Sequence, residues 1–142
     1  PDHATGDLVS GEYYRRFLME MHQELEEELS VPLMLHICGA TVDRMPYIAQ
    51  TGMAAFHFDS KNDPVEAMEA VDGKIRLVGN INNPTTLYAR GPEDVRSEVY
   101  AALDAGVQLI APECAIPLKT KLENLLEIPA AIEDWIAERG WN

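Results

Sequence analysis

Apolar and polar positions along this chain switch between two periods. After Ser10, Tyr14, Phe17, Leu18, Met21, Leu25 and Leu29 recur at three- and four-residue intervals, and QELEEE supplies a wet face. That spacing predicts one amphipathic helix capped by Ser10. The pattern then shortens to a compact apolar run, residues 32–38 (PLMLHIC), as expected of a buried strand. Thr41 is placed to cap a helix carrying Met45, Ile48 and Ala49, which Gly52 ends. A second strand is predicted at 54–59 (AAFHFD), and Asp63 with Pro64 then forms a helix start. A third strand at 75–80 (IRLVGN) leads to a helix from Pro92 to about Ala105, with acids in its first turn and Gly106 beyond its end. The fourth strand is 108–114 (QLIAPEC). Thr120 and Glu123 suggest a capping box before the last helix, and Pro129 is expected to kink or divide it before Ala131. Met19, Met21 and Met34 read as core filler.

Short apolar strands alternating with amphipathic helices imply an α/β fold with a parallel sheet and right-handed crossovers. Four strand–helix units make the C-terminal half of a (βα)8 barrel, an architecture that takes about 250 residues when complete. The 142 residues are therefore read as a single partial domain spanning 1–142. Half a barrel leaves two sheet edges open. Three arrangements follow: a piece of a longer protein, a chain paired with a second chain, or a free-standing open sheet. A start at Pro1 rather than methionine favours the first.

Composition narrows the function. The net charge of −13 argues against non-specific nucleic-acid binding and against an anionic membrane surface. No apolar run is long enough to span a bilayer, so a cytoplasmic enzyme without nucleic-acid or membrane partners is expected. Neither a Gly-rich phosphate loop nor a G-x-S-x-G elbow is present. Two cysteines, Cys38 and Cys114, are too few for a disulfide scaffold.

The polar residues gather at the strand ends: His36 and Cys38 on the first, His57 and Asp59 on the second, Asn80 on the third, Glu113 and Cys114 on the fourth. In parallel βα architectures that edge holds the active site. His36 and Cys38 lie two apart and point to one face of a strand. Imidazole nitrogen and thiolate sulfur are ligand types that zinc prefers. Cys114 is a candidate third ligand, and Asp59, or with less support His57, a fourth that substrate can displace. Taken singly, each residue has a plainer reading: small buried thiols, a helix-capping aspartate, a hydrogen-bonded core histidine. Asn80 and Asn82 suit either contacts to substrate polar groups or turn formation. Glu113 either steadies a ligand or faces solvent.

The segments LHICGAT, AAFHFDS, LVGNINNP and GVQLIAPECAIPLKTKLENL, in that order, resemble the C-terminal part of the uroporphyrinogen decarboxylase superfamily. Within it they are most similar to the zinc-dependent methylcobamide:coenzyme M methyltransferases and related corrinoid-protein methyltransferases. The opening GDLVSGEYYRRF resembles the segment that precedes this region. The resemblance runs over nearly the whole chain and covers about the last two-fifths of a family member. It implies a βα barrel in which His36, Cys38 and Cys114 match the zinc ligands, with Asp59 a less secure match to an acidic position. The superfamily's decarboxylases use no metal and lack this set. PEC in place of the common P-G-C sets Glu113 apart from the family pattern. The implied activity is methyl transfer from a methyl-Co(III) corrinoid protein to a small-molecule thiol such as coenzyme M, in methanogenesis or related one-carbon metabolism. The alternatives are a metal-free decarboxylase-like enzyme and an inactive module with structural thiols.

Overall fold

The computed structural model describes residues 2–140. Helices α1 (Gly11–Phe17) and α2 (Met19–Glu28) precede strand β1 (Met34–His36). A 3-10 turn (Val42–Arg44) and the short α3 (Met45–Ile48) lead to β2 (Ala55–His57), α4 (Pro64–Val71) and β3 (Arg76–Ile81). A π-helical segment (Asn83–Tyr88), α5 (Pro92–Asp104), β4 (Leu109–Pro112) and α6 (Leu122–Arg139) complete the chain. All three strand pairings are parallel and the order is β1-β2-β3-β4. Strictly sequential parallel neighbours are the arrangement of a βα barrel, here a four-strand arc of one.

The register sorts the side chains onto two faces. Leu35, Phe56 and Leu77 stand in one row and are buried under the helices. His36 and His57 occupy the opposite face, where Met34 and Leu109 are half exposed. This second face is the inner wall of the arc. One core cluster joins the sheet to α3 and α4, and a second packs Ile81, Val95, Val99, Leu103, Ile128 and Ala131 between β3, α5 and α6.

Several expectations are corrected. The predicted first helix is two helices that break at Leu18. In one straight helix, positions eight apart stand about 12 Å apart along the axis. The break instead brings the Tyr14 hydroxyl to 2.7 Å from His22 Nδ1, and His22 Nε2 lies 3.1 Å from Asp2. Burial lowers the His22 pKa, so a neutral imidazole links α1 and α2 to the N-terminal segment at Asp2, whose backbone N–H in turn donates to the His36 carbonyl of β1. The stripe Phe17, Met21, Leu25 and Leu29 is about half exposed, as is Met34, so Met21 and Met34 are not core filler. Leu25 and Leu29 line a groove with Met34 at the open edge of β1, where a closed barrel has its next unit.

Ser10 does cap α1, its hydroxyl accepting from the Tyr13 N–H. Thr41 does not cap a helix with its side chain; its own N–H is captured by Asn62. Thr120 is not a cap either: α6 starts after Lys121, and the buried Thr120 hydroxyl lacks a partner among the described residues. α6 runs unbroken through Pro129, held on both sides of it by Ile128 and Ala131 in the core and by Arg96 bridging Glu127 and Asp134. Tertiary packing outweighs the hydrogen bond that proline removes.

Candidate metal centre

β1 and β4 are the two edges of the sheet. Three strand steps of about 4.8 Å would separate them by roughly 14 Å in a flat sheet. Yet the Cys38 and Cys114 sulfurs, 76 residues apart in sequence, lie 3.1 Å from each other. The curl of the arc carries both loop starts toward one axis. His57 records the same curvature: its Nε2 spans from β2 to the Pro112 carbonyl of β4 at 2.8 Å.

His36 closes the group. Its Nε2 is 3.1 Å from Cys38 Sγ, and its Nδ1 is 3.1 Å from the His57 carbonyl oxygen. A carbonyl can only accept, so Nδ1 carries the proton and the Nε2 lone pair faces the sulfurs. A metal-ligating histidine is oriented in this way. The His36, Cys38 and Cys114 donor atoms all lie within 4.8 Å of one another. Zinc with Zn–S bonds of about 2.3 Å in tetrahedral geometry needs its sulfurs about 3.8 Å apart, so a small opening of the thiol pair fits the ion. The electrostatics fit as well. Burial, followed by the neighbouring Cys114 sulfur and the Asp59 charge, pushes the Cys38 thiol up to about 11. Without a cation this site penalises thiolates, and a divalent ion reverses that penalty.

Cys38 lies two residues past the last β1 residue, and Gly39 follows at φ 79°, where a side chain would strike Thr5. Glycine there lets the chain turn sharply once the sulfur is placed. Gly79 serves β3 differently: a Cβ on it would come within 2.7 Å of the Phe58 carbonyl.

The other candidate residues are not part of the cluster. The buried Asp59 carboxylate accepts the Gly39 and Lys61 N–H groups, each at 2.9 Å, and so shapes the loop beyond Cys38. His57 is spent on Pro112, and burial lowers its pKa. Asn80 is buried, its amide donating to the Asn62 carbonyl at 3.0 Å. Asn82 caps the π-helical segment through Thr85 and donates to Ser60. A polar cleft of about 290 Å³ beside Asn80 is lined by Ser60, Asn82 and Glu98 and holds none of the three donor residues.

Sequence reasoning missed Asn62 and Asn83. Asn62 Oδ1 accepts from the Thr41 and Val42 N–H groups at 2.7 and 3.1 Å, and its amide donates to the Gly39 and Asp59 carbonyls, each at 2.9 Å. It laces the loop after β1 to the loop after β2. Both asparagines adjoin prolines or helix starts, where asparagine reads as a turn former, so no sequence signal marks them as buried.

Comparison with known proteins bears on the fold and the family. Residues 1–135 match the family described as uroporphyrinogen decarboxylase (URO-D). A methylcobamide:CoM methyltransferase of Methanosarcina barkeri is 31% identical over 135 residues, covering 94% of this chain and 40% of the relative. A methylated-thiol–coenzyme M methyltransferase of Methanosarcina mazei is 32% identical over 86% of this chain, and a uroporphyrinogen decarboxylase of Paraburkholderia phytofirmans 33% identical over 70%. A solved methyltransferase structure from Methanosarcina mazei superposes with a TM-score of 0.88 at 29% identity, over 93% of this chain and 40% of that one. The chain thus spans about one-third to two-fifths of the length of these methyltransferases. With the parallel strand order, the curled inner wall and this match in hand, the chain belongs to the uroporphyrinogen decarboxylase family.

Proposed function

We propose that this chain carries the zinc site of a methyltransferase that moves a methyl group from a methyl-Co(III) corrinoid, held by a partner protein, to a small-molecule thiol such as coenzyme M. One observation carries the reading: His36, Cys38 and Cys114 bring one nitrogen and two sulfurs within 4.8 Å of one another. Three protein ligands with a position left open is the catalytic form of a zinc site. The curated methyltransferase relatives support the reaction class.

The residues divide the work. His36, Cys38 and Cys114 would hold the ion, and Asp59, whose carboxylate accepts the Gly39 N–H, is the candidate fourth ligand that substrate would displace. Zinc there supplies the charge that favours the thiolate form of a substrate thiol at neutral pH. The thiol sulfur takes the methyl group, its proton leaves to solvent, and the carbon–cobalt electron pair stays on cobalt as Co(I). Asn80, at the end of β3, is assigned to substrate or cofactor polar groups. The open edges at β1 and β4, with Met34 and Leu109 half exposed on the inner wall, call for the remaining barrel strands to complete the cleft. The surroundings we assign are cytoplasmic, where free thiols persist. Among the described residues no helix is long and apolar enough to cross a membrane.

The test supplies methylcobalamin and coenzyme M to the full-length protein. Formation of cob(I)alamin with methylated thiol is expected, and loss of both in Cys38→Ser. Release of carbon dioxide from uroporphyrinogen without metal would assign the family's decarboxylase chemistry instead. Neither reaction would leave an inactive module.

A further inference from the structure

Cys114 is exposed and lies beyond the end of an edge strand, the least supported of the three donor positions. What holds it is on either side. Glu113 is 6% exposed, and its carboxylate spans two loops: Oε2 accepts the Ser60 N–H and Oε1 the Asn83 N–H, each at 2.9 Å. Its backbone N–H donates to the Ile81 carbonyl at 3.0 Å. On the other side, Asn83 Nδ2 donates to the Ala115 carbonyl at 3.1 Å. Residues 113 and 115 are thus both pinned to the segment after β3, and 113 also to the loop after β2. The two N–H groups that meet its carboxylate compensate its burial.

We propose that Glu113, working with Asn83, is a positioning residue that sets the Cys114 sulfur at metal-binding distance from Cys38 and His36. The inference rests on the metal reading above. A carboxylate suits the task because two N–H donors from different loops converge on it, and a carboxylate offers an acceptor oxygen to each. Glutamine of the same shape keeps one acceptor and turns an NH2 group against the other donor.

The test is cobalt(II) titration of the full chain. Glu113→Gln is expected to weaken cobalt binding by roughly 10- to 100-fold, the range for groups that orient metal ligands, and to diminish the sulfur-to-cobalt charge-transfer absorption. In a Cys114→Ala background the same substitution should add no further loss, because its effect passes through that sulfur. Asn83→Ala removes the bond to Ala115 and keeps the Asn83 N–H on Glu113. It should weaken binding several-fold and serves if Glu113→Gln does not fold. A native chain that binds no cobalt overturns the metal reading and this inference together. Cobalt bound by the native chain and unchanged in both variants overturns this inference alone. So does an equal loss in the Cys114→Ala background, which would make Glu113 a support of the fold only.

Discussion

A Cys114→Ser chain is expected to bind zinc more weakly than the native chain by on the order of 100-fold or more. The substitution removes one of three protein donors and leaves His36 and Cys38 as a two-point grip. Serine does not substitute as a donor: its hydroxyl stays protonated near neutral pH, and its oxygen is a harder ligand than sulfur. Because Cys114 is exposed, the change should shift folding stability by no more than about 0.5 kcal/mol, so the loss of affinity is not a loss of structure. Competition with a chromophoric chelator, run beside urea unfolding of the metal-free chains, reads both quantities. Equal zinc affinity in the two chains would remove Cys114 from the site.

The second large effect is structural. Asn62→Ala should destabilise the chain by about 3–4 kcal/mol. Its side chain satisfies the Thr41 and Val42 N–H groups and the Gly39 and Asp59 carbonyls, and it is 3% exposed, so water does not easily replace it. Each buried group left without a partner costs about 1–3 kcal/mol; the Asp59 carbonyl keeps the backbone N–H of residue 62, and partial relaxation holds the rest below simple addition. For a chain of this size that loss lowers the melting temperature by roughly 10 °C. Urea unfolding with an unchanged m-value is the check. A loss below about 1 kcal/mol would mean that the loops after β1 and β2 are held by other contacts.

The elements, and the strand ends that carry the three clustered donor residues, are legible in the sequence because they depend on local pattern. Short apolar runs mark the strands, and polar residues ending every run mark the functional edge. His36 and Cys38 share a face by simple alternation. The convergence of Cys114 was inferred from its place at another strand end, and the 3.1 Å sulfur–sulfur approach follows from sheet curvature, which no local pattern encodes. Periodicity groups residues onto a face but does not say what covers it. That is why Met21 reads as core filler and is half exposed, on the same stripe as Leu25 and Leu29 at the β1 edge. It is also why the break at Leu18 was not foreseen, since the Tyr14–His22 contact that goes with it is tertiary. Asn62 and Asn83 are illegible for a related reason, and Glu113, a candidate for steadying a ligand or facing solvent, has partners that are equally so: these partners are backbone groups of distant loops, and backbone groups have no sequence signature.

The central claim is that His36, Cys38 and Cys114 form one metal site. Its most direct test is metal analysis with X-ray absorption at the zinc edge, on reduced chain purified without chelators. The account predicts about one zinc per chain, with two sulfurs and at least one imidazole nitrogen in the coordination sphere. A chain free of metal, or zinc bound with no sulfur, would contradict it.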